Sequence, residues 1–212
     1  MLDFSTLGMF VAVVLGLFLI PGPAILLVLT RTVQGGRKTG ILTGLGIATG
    51  DLIHTLCAAV GLSALLMTSS LAFTVVKLVG AAYLVYLGVR ALIAKNPPAG
   101  SVTARPALAP VTPAKAFLQA ILTEVLNPKT ALFFLSFLPQ FVHPEKGSTL
   151  AQFALLGLVF VALSVSYTSL IALTIRPLGR LVKRLTWLSR WQGKIIGVIF
   201  ISLGVKVAMQ RH

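Results

Sequence analysis

Six apolar runs follow one another along the chain, at roughly residues 4–30, 39–67, 71–94, 114–142, 149–175 and 191–210. A helix needs about 20 apolar residues to cross the hydrocarbon core of a bilayer. The pattern therefore predicts six membrane-spanning helices. The polar positions collect in the connections, and they do so unequally. The first connection carries Arg31, Arg37 and Lys38, and the third Lys95, Arg105 and Lys115. The fifth carries Arg176, Arg180, Lys183, Arg184, Arg190 and Lys194. The second has no charge, and the fourth, "HPEKGS", is nearly balanced. Basic connections stay on the cytoplasmic side. The odd-numbered loops are thus expected in the cytoplasm of an inner-membrane, multi-pass protein, with both termini outside. A five-span reading, with one broken or re-entrant run, would change this topology.

Two of the runs are interrupted. Pro21-Gly22-Pro23 lies inside the first. Each proline lacks an N–H, so the carbonyls of Leu17 and Leu19 lose their helical donors, and residues before proline avoid the α region. Asn127-Pro128 lies inside the fourth run, where it reads as an N-cap followed by a first-turn proline. Pro128 removes the donor for the carbonyl of Glu124. In hydrocarbon an unsatisfied carbonyl costs several kcal/mol, so such breaks must face protein or a wet cavity. A packed kink would satisfy that rule. Paired breaks at corresponding places in two halves point instead to a transporter's binding site. Helices starting near Pro23 and Pro128 would aim N–H groups and positive dipole ends at one locus, which suits a carboxylate.

The two halves are residues 1–94 and 114–212, three runs each, joined by a Pro- and Ala-rich linker over 95–113. They echo one another in "KLVGAAYLVYLGVR" and "KIIGVIFISLGVK". A repeat with an odd number of spans must insert its second copy upside down, so the expected fold is an all-α membrane domain of two inverted three-helix repeats, the first helix of each broken.

Composition agrees with a membrane domain: 57% of the 212 residues are hydrophobic and 10% charged, against about 25% charged in soluble domains. A net charge of +14 would suggest nucleic acid in a soluble protein; here the bases sit in membrane connections, and no nucleic-acid partner is expected. Cys57 is the only cysteine and cannot form an internal disulfide. "MLDFSTLGMF" lacks the basic residues of a signal peptide, and its apolar run is too long for one.

Of the four acids, Asp3 and Glu145 sit at the ends of runs. Asp51 is about twelve residues into the second run, roughly 18 Å along the helix. An acid at that depth faces a cavity or a partner. His54, three residues on, shares its face. The pair could bind a substrate ammonium or relay a proton; an ion pair of Asp51 with Lys77 or Lys129 is the structural alternative. Glu124 falls nearer the cytoplasmic end of its run. Lys129 reads either as a carboxylate-binding cation or as a side chain that snorkels. Gly40, Gly44, Gly46 and Gly50 form small-residue steps of the kind that pack helices closely. No metalloprotease, hydrolase or phosphate-loop signature occurs, and three scattered histidines do not make a zinc site. Neither an enzyme, a metal nor a cofactor is expected.

"PGPAILLVLTRTVQGGRKTGILTGLGIATGDLIHT", "LNPKTALFFLSFLPQFV" and "AAYLVYLGVRAL" resemble the lysine exporter family, in its homoserine/threonine resistance branch. The resemblance covers most of the chain. It implies efflux of amino acids from the cytoplasm, driven by the proton gradient or the membrane potential, with the bilayer and a small zwitterion as partners. Ala24 stands where that family often has Asn, which leaves specificity open. On this reading Pro21, Gly22, Pro23, Asn127 and Pro128 frame the substrate carboxylate, Asp51 and Glu124 its ammonium, and Asp51 with His54 couples the proton. The thinness of a 212-residue bundle favours a homodimer. An exporter of metal ions or other solutes, an intramembrane enzyme and a non-transporting anchor are the competing classes.

Overall fold

The computed structural model describes residues 3–20, 22–68, 70–93 and 111–182, together with 194, 197, 198, 201, 202, 204, 205 and 209. Pro21 and most of the linker lie outside the described residues, as does the side chain of Lys77. The described residues are helical, without strands. In order they form α1 (Phe4–Leu19), α2 (Pro23–Thr68), α3 (Ser70–Ile93), α4 (Pro113–Val125), α5 (Pro128–Ser136) and α6 (Thr149–Val182). Two 3-10 turns, Leu138–Phe141 and Pro144–Lys146, lead from α5 to α6.

Prolines and side-chain caps mark the boundaries; the break at Pro21 and the Asn127-Pro128 start are anticipated from sequence, the Asp3 and Thr112 caps are not. The Asp3 carboxylate accepts the Thr6 amide at 2.8 Å and starts α1. Ile20, the residue before Pro21, is extended (φ −80, ψ 112) and ends it. Thr112 and Asn127 cap α4 and α5, each of which opens on a proline. The α4–α5 pair is bent by 48° at its break.

A straight helix of the 46 residues in α2 would be about 70 Å long, more than twice the hydrocarbon core. The chain instead folds back at Gly36, whose φ of 81 lies in the region that favours glycine. A Cβ on Gly40 would strike the side chains of Thr32 and Ala172. Thr32 and Gly40 would stand roughly 12 Å apart on one continuous helix. So α2 is two arms, 23–35 and 37–68, meeting at a one-residue reversal. The sequence suggests a looser connection over 31–38; the helices run almost to the turn and take Arg31 with them. By length and composition α2 and α6 hold segments able to span a membrane, and the bent α4–α5 pair counts as another. α6 continues past the apolar stretch ending near 175, because helical backbone does not stop where hydropathy does.

The second arm of α2 runs between α4 and α6. Gly46 meets Phe117 and Ala120, and a Cβ on Gly50 would come within 2.6 Å of Glu124 Cβ. On its other side a Cβ on Gly44 would come within 2.6 Å of Thr168 Oγ1. The two steps of small residues thus serve different neighbours, Gly46 and Gly50 against α4, Gly40 and Gly44 against α6. Elsewhere the two echoing segments meet. Gly88 lies against the carbonyl of Gly197, and Gly204 against that of Ala81, so the two segments pass in opposite directions.

Two apolar clusters fill the bundle. The larger brings together Phe10, Val14 and Leu17 of α1, Phe133 and Phe137 from α5 and its end, and Phe160 of α6. Rings pack at 5.1 Å (Phe133–Phe137), 4.9 Å (Phe134–Phe160) and 5.2 Å (Phe10–Phe141). The smaller contains Ala24, Val28, Ile47 and Ala120. In chain order the large cluster takes residues before the first break and after the second, and the small one takes residues after the first and before the second.

At the Asp3 end, Lys146 reaches the Asp3 carboxylate at 3.1 Å and pins α1 to the loop before α6. That loop is held in turn by Gln152, which accepts the His143 amide and donates to the carbonyls of His143 and Gly147. The Thr6 hydroxyl and amide, then Lys146, hold the Asp3 carboxyl below its ordinary value. A carboxyl lowered in the folded state stabilises it above the unfolded value of about 3.9 and loses that effect only as pH falls through the lowered folded value. This latch should therefore be indifferent to pH between 7 and about 5. Thermal melts of wild type and Asp3→Asn should differ by the same small amount at both; a gap that closes at the lower pH would contradict the assignment.

Candidate functional site

The two breaks meet. The Nζ of Lys129, in the first turn of α5, donates to the carbonyls of Leu17 (2.9 Å) and Ile20 (2.8 Å) at the end of α1. Leu17 is one of the carbonyls that proline deprives of a helical donor, so the second half supplies what the first lacks. The Leu17 carbonyl also accepts the Ile20 amide at 3.2 Å. The reverse holds at the other break. The carbonyl of Glu124, freed by Pro128, accepts His54 Nε2 at 3.0 Å and the Asn127 amide at 3.0 Å. A carbonyl only accepts, so Nε2 carries the proton. His54 stacks on Phe134, ring centres 5.7 Å apart. Although it shares a helical face with Asp51, its ring serves the Glu124 backbone rather than the Asp51 carboxyl.

Between the breaks lies a cavity of about 30 Å³. Its polar wall holds Asp51, Glu124, Asn127, Lys129, Thr130 and Ser164; Phe18, Ile25, Ile47 and Phe160 supply apolar surface. A volume of this size takes a water or two and is far below the roughly 300 Å³ of a typical ligand pocket. Asp51 is 1% exposed and Glu124 2%. The Ser164 hydroxyl donates to Asp51 at 2.5 Å, and the Glu124 carboxyl is within hydrogen-bonding range of it. Asn127 Nδ2 donates to both Glu124 oxygens, at 3.3 and 3.2 Å, and to Thr130 at 3.1 Å. Lys129 is near enough to both acids to act on them electrostatically, but no ion pair joins it to either among the described residues. Among the described residues Asp51 therefore makes no ion pair with Lys129, and the alternative partner Lys77 has a side chain outside them. The contacts of Asp51 are a hydroxyl and a second acid.

The helix starts also face the cavity. Gly22 and Ala24 are buried in its wall, and the amides of Ala24 and Ile25 belong to the first turn of α2, where no intrahelical acceptor exists. On α5 the Asn127 carbonyl oxygen of the side chain takes the Lys129 amide at 3.1 Å. The sequence reading omits Ser164, Tyr167 and Thr168, all of which line the cavity. Their signal is the hydroxyl-rich stretch "SVSYTS" inside the apolar run of α6.

A family profile, the LysE type translocator, matches residues 15–211. The chain belongs to the LysE-type translocator family. It is accordingly an integral membrane protein of a transporter family, not an enzyme. Among relatives of this LysE-type chain, an uncharacterized membrane protein of Pseudomonas aeruginosa is 34% identical, covering 97% of this chain and 94% of its own. A second, the uncharacterized membrane protein YrhP of Bacillus subtilis, is 33% identical over 90% and 92%. The leucine efflux protein of Salmonella choleraesuis is 31% identical over 90% and 88%. No solved structure matches this translocator.

Proposed function

We propose that this translocator exports a neutral amino acid from the cytoplasm, driven by protons, through the cavity between the two helix breaks. The observation that carries the reading is the meeting of both breaks with Asp51, Glu124 and Lys129 at one buried point. A zwitterion has one charged group for each part of it. Its carboxylate suits the first-turn amides after Pro23 and Pro128, beside Lys129, where helix dipoles favour an anion. Its ammonium suits Asp51 and Glu124, and the coupled proton resides on that pair. His54 acts through the Glu124 backbone. Phe18, Ile25 and Phe160, together with Ala24, favour an apolar side chain, and the relative named a leucine efflux protein agrees.

In this reading the chain makes six spans in two inverted halves. The antiparallel meeting of the two echoing segments at Gly88 and Gly197 is what a pseudo-two-fold axis between them would produce. The Gly36 end, next to Arg37 and Lys38, is cytoplasmic by the basic-loop rule, and the Asp3–Lys146 end is external. Exposed apolar side chains on α3, such as Leu71, Leu78, Val79 and Ile93, face lipid or a second copy in a homodimer.

The test is counterflow. Purified protein in liposomes loaded with unlabelled amino acid should concentrate labelled leucine transiently, and a panel of amino acids and ions would rank its substrates. Liposomes that exchange none of the amino acids would refute the reading.

A further inference from the structure

Arg31 has been drawn into the protein at the Gly36 end. It is 4% exposed, although the sequence places it in a basic connection. Its Nη1 donates to Gln34 at 2.9 Å and its Nη2 to Gln119 of α4 at 2.6 Å. Its Nε has no acceptor among the described residues. A guanidinium offers five N–H groups, and among the described residues two bonds engage them, both to neutral amides. The chain has four acids in all. Asp3 and Glu145 pair with Lys146 and His143, while Asp51 and Glu124 belong to the central cavity. A buried cation without a counter-charge is costly, and a fork with unengaged N–H groups fits a carboxylate in two-point fashion.

Its place in the fold gives the site a direction. Along the first arm of α2, Ala24 and Ile25 line the cavity, Val28 belongs to the small cluster, and Arg31 follows one turn later. Along α4 the same order runs backwards from Glu124 through Ala120 to Gln119. Between Arg31 and the cavity stand Ala24, Val28, Ile47 and Ala120, with Leu27 and Ile171 packed against them. On the far side of the cavity the seal contains Phe10, Phe133, Phe134, Phe137, Phe141 and Phe153, none of which lines it. The thinner barrier is the one Arg31 guards.

We propose that Arg31, held between Gln34 and Gln119, is a capture site for the carboxylate of the exported amino acid on the cytoplasmic side of this thin barrier. A carboxylate outcompetes a neutral amide for a guanidinium, since charge-assisted bonds are roughly twice as strong. Its arrival displaces Gln119 and so breaks a hydrogen bond between the first arm of α2 and α4, which otherwise meet through Ala24, Val28 and Ala120. Binding thereby loosens the barrier that the substrate must pass. The proposal rests on amino-acid export as read above.

The experiment uses full-length protein in liposomes and the amino acid that the panel ranks highest, with two inhibitors shaped like leucine. One, 4-methylpentanoate, keeps the carboxylate and lacks the ammonium; the other, leucinamide, does the reverse. Arg31→Gln should weaken inhibition by 4-methylpentanoate by about tenfold or more, the scale of one lost charge-assisted pair, and leave inhibition by leucinamide within about twofold. Gln119→Leu, which removes the competing amide, should strengthen inhibition by 4-methylpentanoate. If Arg31 merely holds α2 to α4, both variants lower the melting temperature, and Arg31→Gln shifts the two inhibitors alike. That outcome, or an Arg31→Gln protein with wild-type response to 4-methylpentanoate, overturns the proposal. A wild-type protein that exports no amino acid refutes the export reading instead.

Discussion

Asp51→Asn protein should exchange substrate across liposomes but lose its response to an imposed pH gradient. Asn keeps the shape of the side chain and can still accept the Ser164 hydroxyl, which donates to Asp51 at 2.5 Å. It cannot take up a proton, and beside it Glu124 would carry the cavity's acid chemistry alone. Coupling between two ligands usually amounts to about 5- to 150-fold, so gradient-driven export should fall by that span toward the rate of exchange. The measurement is labelled-substrate efflux with and without a pH step, in wild type and variant. Unchanged stimulation by the gradient would remove Asp51 from the coupling role. A protein that neither exchanges nor responds, with an unaltered melting temperature, would make Asp51 a binding residue first.

Lys129→Met should abolish transport and also weaken the protein. The ammonium is the second partner of the Leu17 carbonyl and donates to that of Ile20, and it lies in the same cavity wall as the two buried acids. Hydrogen bonds to charged groups contribute about 1.5–3 kcal/mol each. Losing about 2–3 kcal/mol from a chain of this length lowers the melting temperature by about 5–10 °C. Detergent melts would read the shift. Lys129→Arg retains the charge with a different fork, so it should recover stability more than transport. Wild-type melting in Lys129→Met would mean that the α1 carbonyls find other donors, and that the two halves are joined elsewhere.

Much of the candidate site is legible in the sequence because proline chemistry is local. Pro21 and Pro128 leave particular carbonyls without donors whatever the tertiary structure, and Leu17 and Glu124 turn out to be served from the opposite half. The depth of Asp51 follows from counting residues along an apolar run. Partners are another matter, since they depend on how helices rotate against one another. Position alone aligns His54 with Asp51, yet its ring turns to the Glu124 carbonyl. Ser164 reads as one hydroxyl among several in α6 until Gly44 and Thr168 fix that helix against α2. Arg31 misleads for a third reason. A charge near a turn is normally left in water, but the reversal at a single glycine shortens the loop until its last helical turn is packed inside.

The exchange of donors between the breaks bears on how this protein is made. Lys129 follows Leu17 by 112 residues, so α1 and the first arm of α2 leave the ribosome long before their missing donor is synthesised. Until then the membrane holds a half-protein in which the Ile20 carbonyl lacks the Lys129 donor and the Leu17 carbonyl keeps the Ile20 amide alone. The same arithmetic suggests that the two halves, expressed as separate polypeptides, would each be short-lived alone and persist together.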